Sequence, residues 1–87
     1  MKIRVKVRFL SYLKDMFGMS SYDFEFDRKY LLGEFIEIIK SKWPLLRKID
    51  IEKEGPIIIL LNGRSANFDD IVGDGDEITV IPPATGG

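Results

Sequence analysis

The chain contains neither cysteine nor histidine among its 87 residues. These absences exclude a thiolate nucleophile, a disulfide, an imidazole general base, and a zinc site built on thiolate or imidazole ligands. The sequence therefore predicts no self-contained catalytic site. Whether the protein takes part in an enzyme depends on what a partner supplies.

Long hydrophobic runs are also missing. The longest uninterrupted apolar run, Ile57 to Leu61, is far too short to span a bilayer. Charged residues interrupt the apolar ones near the amino terminus, so residues 2–8 do not form the hydrophobic segment of a signal peptide. We expect a cytoplasmic protein that makes no use of a membrane, and a length of 87 residues predicts a single small domain.

The acidic residues near the carboxyl end do not form a recognisable metal-binding motif. Their spacing misses the calcium loop pattern, and turn formation accounts for them: Asp69, Asp70, Asp74, Asp76 and Glu77. We therefore predict no metal and no bound cofactor.

Two segments alternate with period two, which is typical of strands with one buried face. Residues 2–9 alternate Lys or Arg with Ile, Val or Phe, and residues 22–27 alternate aromatic with acidic side chains. If the two strands pair antiparallel, the basic row lies beside the acidic row. This pairing explains the basic stripe without nucleic acid, so we expect no nucleic-acid partner. The two halves of the chain also differ in charge. Residues 1–48 contain 11 Lys and Arg against 6 Asp and Glu, whereas residues 49–87 contain 2 Lys and Arg against 8 Asp and Glu. We expect these opposite charges to neutralise each other in the folded domain.

Amphipathic spacing predicts one main helix that Pro44 ends. Its apolar positions are Leu32, Phe35, Ile36, Ile39 and Trp43. A short helix or tight crossover is expected around Leu13 and Phe17, ending at Gly18. The mixed pattern of residues 44–56 predicts an irregular connection.

The carboxyl-terminal half adds further strands. Ile57–Leu61 is expected to be covered on both faces, Asn62-Gly63 predicts a hairpin turn, and residues 64–68 should return as a short strand. Residues 69–72 are expected to form a helical turn, and Glu77–Ile81 the last strand. The order predicts an α+β roll, with a mixed sheet of about five strands covered by one main helix. The first and last strands are expected to be neighbours at its centre.

The chain ends in Pro-Pro-Ala-Thr-Gly-Gly, which predicts a domain over residues 1–81 and an extended tail over residues 82–87. Six residues reach up to roughly 20 Å, enough to bring the terminal carboxylate into a pocket of another protein. Residues without a Cβ fit a narrow channel while their backbone binds its walls. The predicted threading residues are Pro82, Pro83, Ala84, Thr85 and Gly86.

Two apolar residues at the root of this tail break the alternation of their strands. Leu10 follows Phe9, and Ile81 follows Val80, so both are expected to face outward. We interpret Leu10 and Ile81 as a partner-binding surface.

Residues 73–87, from Gly-Asp-Gly-Asp-Glu to Pro-Pro-Ala-Thr-Gly-Gly, resemble the carboxyl-terminal signature of the small subunit of molybdopterin synthase and its relatives. The resemblance continues through Leu61-Asn62-Gly63, through Val7-Arg8-Phe9-Leu10 and through Gly18. It covers nearly the whole chain except residues 45–55. The family consists of ubiquitin-like sulfur carriers and modifiers, and it implies a β-grasp fold.

The resemblance also implies a chemistry for Gly87. In this family an adenylating enzyme of the ubiquitin-activating type uses ATP to convert the last glycine to an acyl adenylate, and sulfur transfer then gives a thiocarboxylate. The large synthase subunit uses that sulfur to build molybdopterin, the ligand of molybdenum or tungsten. This sequence lacks a G-x-x-x-x-G-K-[ST] loop, so ATP is expected to be bound by the partner.

Two alternatives compete with the sulfur carrier. In the first, the chain is a ubiquitin-like modifier whose Gly-Gly end becomes amide-linked to lysine on target proteins. In the second, it is a β-grasp binding module whose tail is inert.

Overall fold

The computed structural model describes residues 2–52 and 57–83, and in these parts the chain forms seven strands and three helices. In chain order the elements are β1 (Ile3–Phe9), α1 (Tyr12–Phe17), β2 (Ser21–Phe26), β3 (Tyr30–Leu31), α2 (Leu32–Lys42), α3 (Leu45–Glu52), β4 (Ile58–Leu61), β5 (Arg64–Ser65), β6 (Ile71–Val72) and β7 (Glu77–Ile81). Five strands form one sheet in the order β2-β1-β7-β4-β5, and β3 pairs with β6.

The first and last strands lie side by side at the centre of the sheet, as predicted. β1 pairs antiparallel with β2, where Val7 lies opposite Tyr22, and parallel with β7, where Val7 lies opposite Ile78. The ladder between β4 and β7 is antiparallel and aligns Ile58 with Ile81. The sheet is therefore mixed, as the α+β prediction required.

The hydrophobic core lies between the sheet and the helices. Every second residue of β1 is buried because one face of the strand packs inward. The buried members of α2 are the predicted ones: Leu32, Phe35, Ile36 and Ile39. Trp43, directly after α2, packs edge-to-face on Phe9 with ring centroids 4.7 Å apart. The main helix and its packing are confirmed.

Charged side chains pair across the strands in the predicted way. Glu25 on β2 lies 3.8 Å from both Lys2 and Arg4, at the amino-terminal end of β1. Arg8 on β1 pairs with Glu77 on β7 at 3.1 Å, which joins the basic and acidic halves of the chain. Three of the four basic residues of this stripe, Lys2, Arg4 and Arg8, are thus paired with neighbouring strands, whereas Lys6 has no ion pair with a described residue.

The prediction of an irregular connection over residues 44–56 is wrong for Leu45–Glu52, which form α3. Leu46 and Ile49, three residues apart, are 1% and 3% exposed and belong to the core. Among the described side chains of α3, Leu46 and Ile49 mark the inward face and Leu45 is 41% exposed. The helix is amphipathic, but its eight residues make too few turns for the period to stand out in the sequence. Residues 53–56 lie outside the described part of the chain.

Two further expectations need correction. The predicted helical turn at residues 69–72 is instead a turn followed by β6, because Ile71 and Val72 pair with β3. β4 was expected to be covered on both faces, but Ile58 is 50% exposed. The helices pack on one face of the sheet, so the side chains of β4 that point the other way are left accessible.

The short helix α1 is confirmed, and it ends where predicted. Gly18 adopts the left-handed conformation, with φ of 70°, which glycine reaches without steric cost. Within residues 2–52 and 57–83, no helix is long and apolar enough to cross a bilayer.

Candidate functional site at the carboxyl end of the central strand

The chain leaves the sheet at the end of β7, next to the end of β1. Phe9 is aligned with Val80, and the backbone N–H of Leu10 donates to the carbonyl of Val80 over 3.2 Å. The segment that follows Ile81 therefore starts from the middle of the sheet, at one end of the domain. A central position with partners on both sides fixes the direction in which this segment begins.

The first two residues of the predicted tail lie against the domain instead of projecting from it. Pro82 and Pro83 are buried. The hydroxyl of Tyr12, the first residue of α1, donates a hydrogen bond to the carbonyl of Pro83 over 3.1 Å. Proline fixes φ, so the root of the tail is stiff, and it has no backbone N–H that would need a hydrogen-bond partner. Ala84, Thr85, Gly86 and Gly87 lie outside the described residues, and their predicted roles stay predictions.

An apolar surface surrounds this root. Alternation places Ile81 on the face opposite Val80, and Ile81 is half-buried beside the 50% exposed Ile58. Leu10 continues β1 next to Ile81 and is also half-buried. We call Leu10, Ile58 and Ile81 the tail-root surface. The outward direction predicted for Ile81 is observed, whereas its predicted role in binding is not tested by the structure.

Positive charge lies beside the tail-root surface. A cleft of about 380 Å³ is bordered by Leu10 and by the basic side chains of Lys6, Arg8 and Lys14. Arg8 is neutralised by Glu77. Lys6 and Lys14 have no ion pair with any described residue, so their charges are available to an acidic surface.

The acidic residues between β6 and β7 hold turns. Asp74 accepts the backbone N–H of Arg4 over 2.8 Å, and Asp76 accepts that of Gly73 over 2.7 Å. Asp76 also accepts the side-chain amide of Asn62 over 3.0 Å. No group of three or more acidic residues within the described ranges is arranged to hold a metal ion. These carboxylates therefore have structural partners.

Sequence reasoning missed Tyr12, Ile58, Lys6 and Lys14 at this site. Tyr12 meets a backbone carbonyl 71 positions away, and no sequence pattern marks such a contact. Ile58 was within reach, because an exposed position in β4 follows once helices are assigned to only one face of the sheet.

Solved structures of similar shape come from archaea and bacteria. The putative molybdopterin converting factor subunit 1 of Pyrococcus furiosus shares 23% identity over 94% of this chain and 99% of its own, with a TM-score of 0.77. The small archaeal modifier protein 1 of Methanosarcina acetivorans shares 24% identity over 100% of this chain and 99% of its own, with a TM-score of 0.73. A complex of subunits 1 and 2 of the molybdopterin-converting factor of Helicobacter pylori includes a similar chain. That chain shares 26% identity over 98% of this chain and 100% of its own, with a TM-score of 0.65.

These structures share the β-grasp arrangement described above, with a mixed sheet and a main helix, so the predicted β-grasp fold is confirmed. The model of the ThiS family matches residues 7–87, which include β1 from Val7, the tail-root surface and the Gly-Gly end. The chain therefore belongs to the ThiS family, the ThiS-like sulfur carriers.

Proposed function

We propose that this protein carries sulfur as a thiocarboxylate on Gly87 and donates it, as the small subunit of a molybdopterin synthase, to the biosynthesis of the molybdenum or tungsten cofactor. One observation carries the proposal: the family match runs to residue 87 and so includes the Gly-Gly end that follows the fixed root at Pro82 and Pro83. The folded domain is the part that partner enzymes recognise, and the reacting atoms belong to the last residue.

The chemistry needs a partner at each step. The carboxylate of Gly87 attacks the α-phosphorus of ATP bound to the partner, and pyrophosphate leaves. A hydrosulfide equivalent supplied by a sulfur donor then attacks the acyl carbon, and AMP leaves with the bonding electron pair. This chain has no cysteine or histidine to carry out either step. Its own contribution is to position the tail.

Two partners follow from this chemistry: an adenylating enzyme of the ubiquitin-activating type, and the large subunit of the synthase. The similarity to a chain of the Helicobacter pylori complex supports the second. We propose that both dock on the tail-root surface, where apolar side chains and the unpaired Lys6 and Lys14 lie together. A complementary partner surface is apolar with acidic residues at its edge. We further propose that these reactions take place in the cytoplasm.

A second candidate function is protein modification, in which the activated Gly87 becomes amide-linked to lysine on other proteins. The similarity to the small archaeal modifier protein of Methanosarcina acetivorans favours this candidate. Both functions use the same adenylate, and they differ in the nucleophile that attacks it. An inert tail, the third possibility, predicts that no adenylate forms.

The intact mass of the protein isolated from its native host separates these functions. Replacement of one oxygen by one sulfur identifies the carrier, and ladders of larger conjugates identify the modifier. Deleting Gly87 moves the carboxylate by up to about 3.5 Å, which is too far for a positioned acyl transfer, and Gly86→Val adds a Cβ that blocks a narrow channel. Both variants are expected to lose adenylate formation and keep their melting temperature. Full adenylation of the deletion variant would contradict the proposal and favour the inert tail.

A further inference from the structure

Strand β2 forms one edge of the sheet. In the order β2-β1-β7-β4-β5 it has β1 on one side, and no other described strand pairs with it. An edge strand of six residues presents a row of unpaired backbone groups, which is a template for a further strand.

The register shows which backbone groups face outward. The N–H of Phe9 donates to the carbonyl of Ser20 over 2.9 Å, so this pair is hydrogen-bonded, and every second pair along the ladder is too. The β2 residues bonded to β1 are Tyr22, Phe24 and Phe26. The backbone groups of the other three therefore point to the free edge, and these residues are Ser21, Asp23 and Glu25.

A row of aromatic rings runs along this edge on the helix side of the sheet. Successive ring centroids are 4.9 Å apart for Tyr22 and Phe24, 5.6 Å for Phe24 and Phe26, and 4.8 Å for Phe26 and Tyr30. We call these four residues the edge row. All four are half-buried, so each packs on the core and keeps part of its surface accessible.

A cation lies over each end of the edge row. The Nζ of Lys42 is 4.5 Å from the centroid of Tyr22, and the guanidinium carbon of Arg28 is 3.8 Å from that of Tyr30. Arg28 also pairs with Glu34 at 3.6 Å. Lys42 has no ion pair with any residue that the structure describes. One end of the edge row therefore carries a charge that has no counterion among the described residues.

We propose that β2 and the edge row bind an extended peptide segment of a partner protein as an additional strand. Its backbone pairs with Ser21, Asp23 and Glu25, which supplies affinity that does not depend on sequence. Side chains directly opposite Tyr22 and Phe24 lie on the same face, at the closely spaced, non-hydrogen-bonded positions, so they must be apolar. A carboxylate beside the first of them meets Lys42.

A second copy of this chain is a poor occupant. An antiparallel β2–β2 pair centred on Phe24 would place Asp23 directly opposite the Glu25 of the other copy, twice, and like charges opposite each other destabilise a ladder. A heterologous peptide with lysine or threonine at those positions avoids this repulsion. Glu25 is already paired with Lys2 and Arg4, whereas Asp23 has no ion pair with a described residue. Asp23 in particular therefore disfavours a second copy and favours a basic or neutral residue opposite it on the ligand.

The probe is a synthetic peptide, Ile-Thr-Val-Lys-Val-Thr-Asp with capped ends, titrated into the ¹⁵N-labelled full-length protein. As an antiparallel strand it places its valines opposite Phe24 and Tyr22 and its aspartate beside Lys42. We expect amide shifts and slowed hydrogen exchange at Ser21, Asp23 and Glu25, with a dissociation constant on the order of 100 μM for so small a ligand. A peptide of the same sequence, N-methylated at the residues that pair with the edge, is expected to bind at least ten times more weakly. Equal binding of the methylated peptide, or shifts confined to other residues, would overturn the proposal.

Variants of the protein test the same contacts from the other side. Asp23→Pro removes an outward N–H without touching a bond to β1, so it should abolish binding while the ladder to β1 persists. Lys42→Ala should weaken binding about 3-fold, the size of one exposed ion pair, and Lys48→Ala, an exposed lysine of α3, should not. Unchanged affinity for folded Asp23→Pro contradicts the proposal. If Asp23→Pro does not fold, the comparison of the methylated and unmethylated peptides on the unaltered protein tests the proposal.

Discussion

Tyr12 connects the beginning of the chain to the root of its tail. Its hydroxyl donates to the carbonyl of Pro83 over 3.1 Å, a contact that spans 71 positions and holds this segment. Pro83 has no N–H of its own to fix it in place. A single hydroxyl therefore contributes to where the tail starts.

We predict that Tyr12→Phe destabilises the domain by about 1 kcal/mol, because one partly buried hydrogen bond is lost and the ring is kept. For a domain of this size the melting temperature should fall by about 4–8 °C. Tyr22→Phe is the matched control, since the hydroxyl of Tyr22 has no hydrogen bond to any described residue. An equal fall in both variants would contradict the role of Tyr12.

The docking role proposed for Ile81 makes a second prediction at this scale. Ile81→Arg should abolish binding to the large synthase subunit and to the activating enzyme, because it places a charge on the half-buried tail-root surface. Ile71→Arg is the control: Ile71 is 62% exposed and lies near Asp74, at the opposite end of β1. Binding is measured by calorimetry and folding by circular dichroism. Unchanged affinity of Ile81→Arg would remove Ile81 from the interface.

Among the elements, α3 is the one whose contribution is easiest to measure. Leu45 and Leu46 are adjacent leucines, one 41% exposed and the other 1%. We predict that Leu46→Ala costs about 2–5 kcal/mol through lost burial and a cavity, and Leu45→Ala less than about 0.5 kcal/mol. Urea denaturation of the two variants measures the difference. Similar midpoints would mean that α3 does not pack as described.

The start of α2 shows how an element can form without its usual sequence signal. No Ser, Thr, Asp or Asn stands at the cap position, and Leu31 occupies it. Instead, Glu34 accepts the N–H of Leu31 over 2.9 Å. The loop before β6 supplies acceptors for the next two N–H groups. The N–H of Leu32 donates to the carbonyl of Asp70, and the N–H of Gly33 donates to the carbonyl of Phe68, each over 2.8 Å. Tertiary contacts satisfy the helix end.

Elements with a strong period were predictable, and elements made by long-range contacts were not. β1, β2 and α2 each show their period in the sequence, because one face of each is buried. β3 and β6 have two residues each and exist only through pairing with each other. Broken alternation marked two members of the tail-root surface, Leu10 and Ile81, and the exposed position of Ile58 follows once the helices are assigned to one face of the sheet. The contact of Tyr12 with Pro83, in contrast, becomes visible only when distant segments meet.

At the scale of the whole molecule, the boundary between domain and tail can be tested by truncation. Removing residues 77–87 takes away β7, the strand between β1 and β4, and should leave the chain unfolded. Removing residues 84–87 keeps β7, Pro83 and the contact to Tyr12, and should leave the melting temperature within about 4 °C. Circular dichroism distinguishes the two. A folded chain without residues 77–87 would contradict the central place of β7.

The parallel pairing of β1 with β7 has a consequence for the synthesis of this protein. Residues 3–9 leave the ribosome before their neighbour in the sheet, residues 77–81, has been translated. The sheet therefore cannot close before β7 has left the ribosome, and its longest-range contacts must form late. A ribosome that stalls before residue 77 releases a product that lacks the central strand and is open to proteases. A folded domain is thus itself evidence that translation has passed through β7, the strand that leads directly into the tail.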